Sequence, residues 1–421
     1  MSAPTAPHED SPLICKDGEQ KHLTLLVPMA LGTETSHDKK TTDLLSQIPS
    51  LARAILGTIV IAVLLAIAVI VGTRAVGDAG VKAGSLVPVG QYRLVEAQEG
   101  SSFFSFYDFF GGHDSIGSAG YNMYVSQSRA EELGIASIIT EEDAINGVNE
   151  EFIYMSSAPT QNGPRDSVRL EGKKRFDRGL FILDVRHMPD GCGVWPAWWL
   201  TDEANWPMNG EVDVLEAGIP DHFTGDPDFH TVKGADNCWT MAPHQWENEG
   251  CTVVHERNDT IGAPINANGG GLYVLEWDPA GRYLEGLSEG YIKSWVFSRN
   301  IPENLQDAIG TAGLEDASKR VTPDPQLWGP PYAYFAIGEN TGCSEDHFKN
   351  MRIVFNLAFC GTVSGNRFTR ECPDLAEKFN VTNEHGDNDP VSTCNAYIKS
   401  NSKALEEAYW KIKVGLLVHV F

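Results

Sequence analysis

Glu211-Val212-Asp213-Val214-Leu215-Glu216 sets three carboxylates in a run otherwise made of Val and Leu. A short apolar run of this kind reads as a buried strand, and acids are seldom buried without a partner. Side chains at even spacing share one face of a strand, so Glu211 and Asp213 point the same way. In a regular strand Glu216 falls on the other face. One extra residue in a β-bulge, most simply at Val214-Leu215, returns it to the side of the other two, and bulges recur beside active sites. The expected outcome is a row of acids with a glutamate at each end. Retaining glycosidases need such a row: two carboxyls about 5 Å apart, one a nucleophile and one a proton donor. On a helix the same spacing would make a solvated acidic face, and the flanking sequence decides between the two.

Upstream run Gly193-Val194-Trp195-Pro196-Ala197-Trp198-Trp199-Leu200 and Asn205-Trp206-Pro207-Met208-Asn209-Gly210. Trp195, Trp198, Trp199 and Trp206 are more indole than a core of this length needs. Indole faces stack on the apolar faces of sugar rings, although at least one of Trp198 and Trp199 is expected to be core packing alone. Tryptophans beside three acids favour a carbohydrate cleft.

Trp195-Pro196-Ala197-Trp198-Trp199 followed by Asn209-Gly210-Glu211-Val212-Asp213-Val214-Leu215-Glu216 resembles glycoside hydrolase family 16, more narrowly its laminarinase-type endo-1,3(4)-β-glucanases of fungi and related eukaryotes. The likeness continues through Ser167-Val168-Arg169, Arg178-Gly179-Leu180-Phe181, His230-Thr231 with Cys238, Leu275-Glu276-Trp277, Ile353 to Gly361 and Ala408 to Ile412. It covers residues 100–421. The resemblance implies a concanavalin-like β-jelly-roll sandwich with a substrate groove on its concave sheet. It implies Glu211 as nucleophile, Glu216 as acid/base, and Asp213 as the acid that manages the nucleophile's charge. Trp195, Trp199 and Trp206 are the implied stacking surfaces, with His230 near the bond being cut and Arg165 and Asn122 as polar sugar contacts. Two departures stand out. Ala217-Gly218-Ile219-Pro220 follows Glu216 where the family usually has Gly-Val-Asn, and Asn122 falls one position early before Met123-Tyr124-Val125. No cofactor and no metal site is expected.

Composition agrees with an all-β domain: 41 Gly, 23 Pro and 10% aromatics among 421 residues favour short strands and many turns. A net charge of −25 argues against nucleic acid as a partner. Alternating runs at Gly179 to Val185, Tyr273 to Trp277 and Arg352 to Leu357 read as strands. A helix is expected at Ser402 to Tyr409 before a closing strand over 410–420.

Ala54 to Gly72 carries no charge and lies between Arg53 and Arg74. As a helix it spans about 28 Å, enough for a bilayer core. It is too long and too far from the N-terminus for a signal peptide. The expected layout is a disordered cytoplasmic tail (1–53), a transmembrane helix (54–73), a stalk (74–99) and a catalytic domain (100–421). Lys39, Lys40 and Arg53 against Arg74 and Lys82 favour a type II single-pass orientation. Cys15 precedes the run, whereas Cys192, Cys238, Cys251, Cys343, Cys360, Cys372 and Cys394 follow it, as disulfides in an oxidising compartment would require. Cys238 with Cys251 is the preferred pair, and an odd seven predicts one thiol free or paired between chains. Asn258-Asp259-Thr260 and Asn380-Val381-Thr382 are glycosylation triplets for that same side.

The leading expectation is a membrane-held enzyme that cleaves β-1,3-glucan inside the chain, with mixed 1,3;1,4 linkages as a second substrate. The alternatives are a cell-wall transglycosylase, in which a second glucan replaces water, and a non-catalytic glucan-binding or glucan-synthesis-associated membrane protein.

Overall fold

A computed structural model describes Leu23–Thr24 and residues 92–420, apart from 116, 143–146, 217–236, 243–249, 254, 256, 258, 280, 282–288, 299, 339–340, 342 and 401. The described residues belong to one compact unit; the second unit, residues 31–89 with 284–286, lies outside them. The apolar run 54–72 is therefore also outside. Among the described residues no helix is long and apolar enough to cross a membrane.

Two large sheets face each other across a shared core. The first runs in spatial order Cys251–Thr252, Leu23–Thr24, Glu211–Glu216, Val194–Thr201, Arg352–Phe359, Arg169–Gly172 and Tyr107–Phe109. The second runs Ala333–Ile337, Gly290–Phe297, Gly271–Asp278, Gly179–His187, Trp410–Ile412, Asn149–Met155 and Ala136–Glu142. The last strand, Val414–Val420, pairs with both Gly179–His187 and Arg93–Glu99. Alternation explains the sandwich. Trp198, Leu200, Val212, Leu215 and Phe355 turn inward from the first sheet, and Phe181, Leu183, Leu275, Trp277 and Trp410 meet them from the second. Phe355 touches Trp198 on its own sheet and Trp410 on the other, with ring centroids 6.3 and 6.0 Å apart.

The structure corrects three expectations of layout. Arg93–Glu99, expected as stalk, is a strand held by the C-terminal strand, so the fold begins before residue 100. Leu23–Thr24, expected as disordered tail, pairs in parallel with Glu211–Glu216 and Cys251–Thr252. The helix expected at Ser402 to Tyr409 is only a short 3-10 turn, Ser402–Leu405. The helices in this part of the chain lie earlier, at Asn366–Glu371, Pro373–Lys378 and Pro390–Ser400.

Those helices close a second, smaller core. Phe368, Tyr397 and Ile398 cover Val194, Leu357 and Phe359 at one end of the first sheet. Cys192–Cys372 and Cys360–Cys394 fasten the cap to the strands. The chain turns into it at Gly361, which has φ +66° and where a Cβ would lie 2.1 Å from the Ser118 carbonyl oxygen. Cys238 pairs with Cys251 as expected. Cys343 is disulfide-bonded as well, so among the described residues no thiol is free.

Candidate active site

Strand register decides where the acids point. Glu211 pairs with Thr201, Asp213 with Trp199, and Glu216 with Ala197. Thr201, Trp199 and Ala197 are alternate residues of one strand and so share a face; their directly opposed partners share it too. The register slips between Trp198 and Trp199, leaving Val214 without an opposite number. This is the expected bulge, and without it Glu216 would enter the core. The opposite face of both strands is apolar and closed: Val212, Val214, Leu215, Trp198 and Leu200 are all buried.

Exposure differs along the row. Asp213 is 2% exposed, while Glu211 and Glu216 are half-buried at either side of it. Each glutamate receives an indole N–H. Trp206 Nε1 donates to Glu211 Oε2, and Trp195 Nε1 donates to Glu216 Oε1 at 2.7 Å. Hydrogen bonds of this kind orient a carboxyl without neutralising it, and they favour its ionised form. Trp195 is thus buried and attached to an acid rather than open as a stacking platform. Trp199 and Trp206 keep part of their rings exposed. Trp198 is 0% exposed and belongs to the core alone.

The face continues across the neighbouring strands. Asn356 pairs with Ala197, and its Oδ1 accepts from Trp199 Nε1 at 2.7 Å. Arg169 pairs with Asn356 in turn, and its guanidinium lies 5.4 Å from the Trp199 ring centre and 5.1 Å from that of Phe110. It is held by Asp114 at 2.9 Å and Glu171 at 3.0 Å. Glu171 also meets Arg352 at 2.5 Å. Arg169, Glu171 and Arg352 are therefore paired in a chain on this side of the sheet. Asn356, Arg169 and Arg352 were not singled out from sequence. The signal was available, since Asn356 and Arg352 alternate with Ile353 and Phe355, whose side chains turn into the core.

Two further residues expected as sugar contacts are buried. Asn122 is 1% exposed, and its Oδ1 accepts from the Phe359 backbone N–H at 3.2 Å. Arg165, opposite it in a short parallel pair, is 5% exposed and donates from Nε to Ser157 Oγ at 3.0 Å. Burial pulls its guanidinium below the usual arginine range. Both side chains tie loops to the sheet, so neither offers an open polar edge; a buried amide or guanidinium needs such partners. His230 and the rim at Ala217-Gly218-Ile219-Pro220 lie outside the described residues.

A jelly-roll-like sandwich with paired glutamates on a bulged strand, each accepting a tryptophan N–H, has the build of a glycoside hydrolase. Residues 107–420 match the family model of the XgeA-like, catalytic GH16 domain. The chain belongs to glycoside hydrolase family 16. It is 32% identical to a probable endo-1,3(4)-β-glucanase of Aspergillus clavatus over 76% of this chain and 45% of that protein, so it spans less than half the relative's length. A probable glycosidase of Schizosaccharomyces pombe is 31% identical, with 76% and 68% covered. Among solved structures, GH16 laminarinase 16A of Phanerochaete chrysosporium, described with β-glucans in its donor and acceptor sites, is 27% identical. It superposes at a TM-score of 0.57, with 79% of this chain and 100% of that one covered. An elongating GH family 16 β-1,3-glucosyltransferase is 25% identical at a TM-score of 0.58, with 78% and 100% covered.

Proposed function

We propose that the chain is a retaining endo-glycosidase acting on β-1,3-glucans, and on mixed 1,3;1,4-glucans as a second substrate. The observation that carries this reading is the unpaired Val214, which leaves Glu211 and Glu216 on one open face. Glu211 attacks the anomeric carbon while Glu216 protonates the departing glycosidic oxygen. Glu216, now a base, takes a proton from water, which displaces Glu211 and restores the β configuration. Asp213, closed from solvent between them, is the acid that manages the nucleophile's charge. Trp199 and Trp206 supply stacking surface for the sugar. The substrate class draws support from the Phanerochaete laminarinase and the Aspergillus relative.

The test is release of reducing ends from laminarin by the full chain, with an early fall in viscosity marking internal cleavage. Wild-type turnover that equals that of Glu211→Ala would remove the assignment. Transglycosylation is the second reading, favoured by the elongating glucosyltransferase among the structural relatives. Lengthened products in the presence of laminari-oligosaccharide acceptors, at the expense of hydrolysis, would establish it.

We further propose that the enzyme is held by residues 54–72 on the oxidising side of a membrane and works on cell-wall glucan. The disulfides Cys192–Cys372, Cys238–Cys251 and Cys360–Cys394 support that compartment. Asn380, exposed in the loop after Pro373–Lys378, is a glycosylation acceptor on that side. The pairing of Leu23–Thr24 with the catalytic strand pulls the other way on tail orientation. A tail on the cytoplasmic side cannot occupy that sheet. Protease digestion of sealed microsomes decides: loss of an N-terminal tag means a type II orientation, and protection means that tail and domain share one side.

A further inference from the structure

The turn that carries Trp206 is tied to one buried carboxylate. Asp202 follows Thr201, the residue paired with Glu211, and is 1% exposed. Four donors converge on it. Arg175 Nη1 reaches Oδ1 at 3.1 Å, while the amides of Asn205, Asn209 and Asn350 reach Oδ2 at 2.8, 2.7 and 2.9 Å. Asn205 and Asn209 stand on either side of Trp206 in the same turn, so Asp202 grips the loop on both sides of the indole.

The surroundings are arranged to deliver those donors. Asn350 adopts φ 56°, a left-handed conformation that costs any residue but glycine, with asparagine among the most tolerant. Its backbone is held there by Asp177, which accepts from its N–H at 2.7 Å, and by Arg175, which donates to its carbonyl at 2.9 Å. Glu203, next to Asp202, accepts from Arg175 at 2.7 Å and from Arg352 at 2.8 Å. The turn closes at Gly210, with φ +76° and a would-be Cβ only 2.4 Å from the His347 carbonyl oxygen. No side chain larger than hydrogen fits there. Burial opposes ionisation of Asp202, but the amides of Asn350, Asn205 and Asn209 and the charge of Arg175 outweigh it and hold the carboxyl below the usual range. A fully partnered polar network of this kind specifies one geometry rather than adding bulk stability.

We propose that Asp202 is a positioning residue for the nucleophile: it fixes the 202–210 turn so that the Trp206 indole N–H is held on Glu211. The proposal rests on the reading of Glu211 as nucleophile. It predicts that loosening Asp202 releases the indole and makes the nucleophile easier to protonate.

The closing experiment follows the Trp206 indole N–H by NMR, assigned with Trp206→Phe, in the full chain, Asp202→Ala and Glu211→Gln. In the parent protein the resonance lies downfield and shifts as Glu211 titrates. In both variants it moves upfield and the titration is lost or reduced. Asn350→Gly, which suits the left-handed backbone and removes one amide, shifts it in the same direction by a smaller amount and covers the case in which Asp202→Ala does not fold. In kinetics, Asp202→Ala moves the acid limb of the kcat/KM profile upward by about 1–2 pH units, the worth of one hydrogen bond to a charge. The double variant with Trp206→Phe moves it no further than Trp206→Phe alone. An unmoved indole resonance in Asp202→Ala and Asn350→Gly, or additive limb shifts, overturns the proposal. Should the parent protein leave laminarin intact while the indole still reports Asp202, the enzymatic reading fails and only the hold of Asp202 on the Trp206–Glu211 contact stands.

Discussion

The bulged strand Glu211–Glu216 and the helical cap between Gly361 and Leu405 both adjoin the strand Val194–Thr201 and are built on opposite principles. In the first, order comes from the ladder: each side chain's direction follows from its pairing, and one unpaired Val redirects Glu216. In the second, helices of 6, 6 and 11 residues are too short to hold themselves, so disulfides and a small apolar cluster do it. The lesson is a separation of labour. Changes on the strand's open face should cost chemistry and leave stability; changes in the cap should cost stability and leave chemistry.

The largest expected effect tests the first half. Glu211→Ala lowers kcat on laminarin by about 10^4 or more, with thermal unfolding unchanged within a few degrees. A large loss of Tm in this variant would blur the separation. Adjacent tryptophans sharpen the contrast next. Trp198→Ala, inside the core, costs about 3–5 kcal/mol of stability, whereas Trp199→Ala, half-open beside Asp213, raises KM with little change in melting. Equal effects from the pair would contradict the facing read from the register. In the cap, the double variant Cys360→Ala with Cys394→Ala opens a bridge of sequence separation 34 and costs about 2–5 kcal/mol. Its kcat at low temperature should match the parent's.

The smallest effect is pH-dependent. Glu371 is buried in the cap, and burial pushes its carboxyl up to about 8, with Arg367 and Arg370 offsetting only part. A carboxyl raised in the folded chain keeps a proton that the unfolded chain sheds, so its contribution worsens as pH climbs from about 4.5 to about 8. Glu371→Gln should therefore stabilise by about 1–3 kcal/mol at pH 8 and change nothing at pH 4. Melting curves at the two pH values check the sign.

Much of the strand was legible because a chemical conflict marked it. Three acids among Val and Leu demanded a bulge, and the residue without a partner is one of the two named. The long alternating runs at 179–187, 271–278 and 352–359 were legible for a similar reason: period two survives over eight or nine residues. Their ends were not. Arg93–Glu99 was taken for stalk because its pairing partner lies at the far end of the chain. The cap helices were missed because six-residue helices carry no usable period and cysteine pairing does not follow from spacing, even where one close pair, Cys238 with Cys251, did. Within the site, the acids and tryptophans stand out in the sequence, whereas the residues that hold them do not. Asn356, Arg169 and Asp202 each meet at least one partner far away in sequence, Trp199, Asp114 and Asn350, visible only once the chain is folded. Asn122 and Arg165 show the reverse: their burial against backbone and serine is invisible in the sequence.

Azide rescue followed by NMR of the product's anomeric centre tests the central claim most directly. Azide that replaces water on the glycosyl-enzyme of Glu216→Ala should give a β-glycosyl azide, and azide that replaces the missing carboxylate in Glu211→Ala, with an activated substrate, should give the α anomer. The same anomer from both variants, or rescue of neither, would contradict two glutamates facing one sugar from opposite roles.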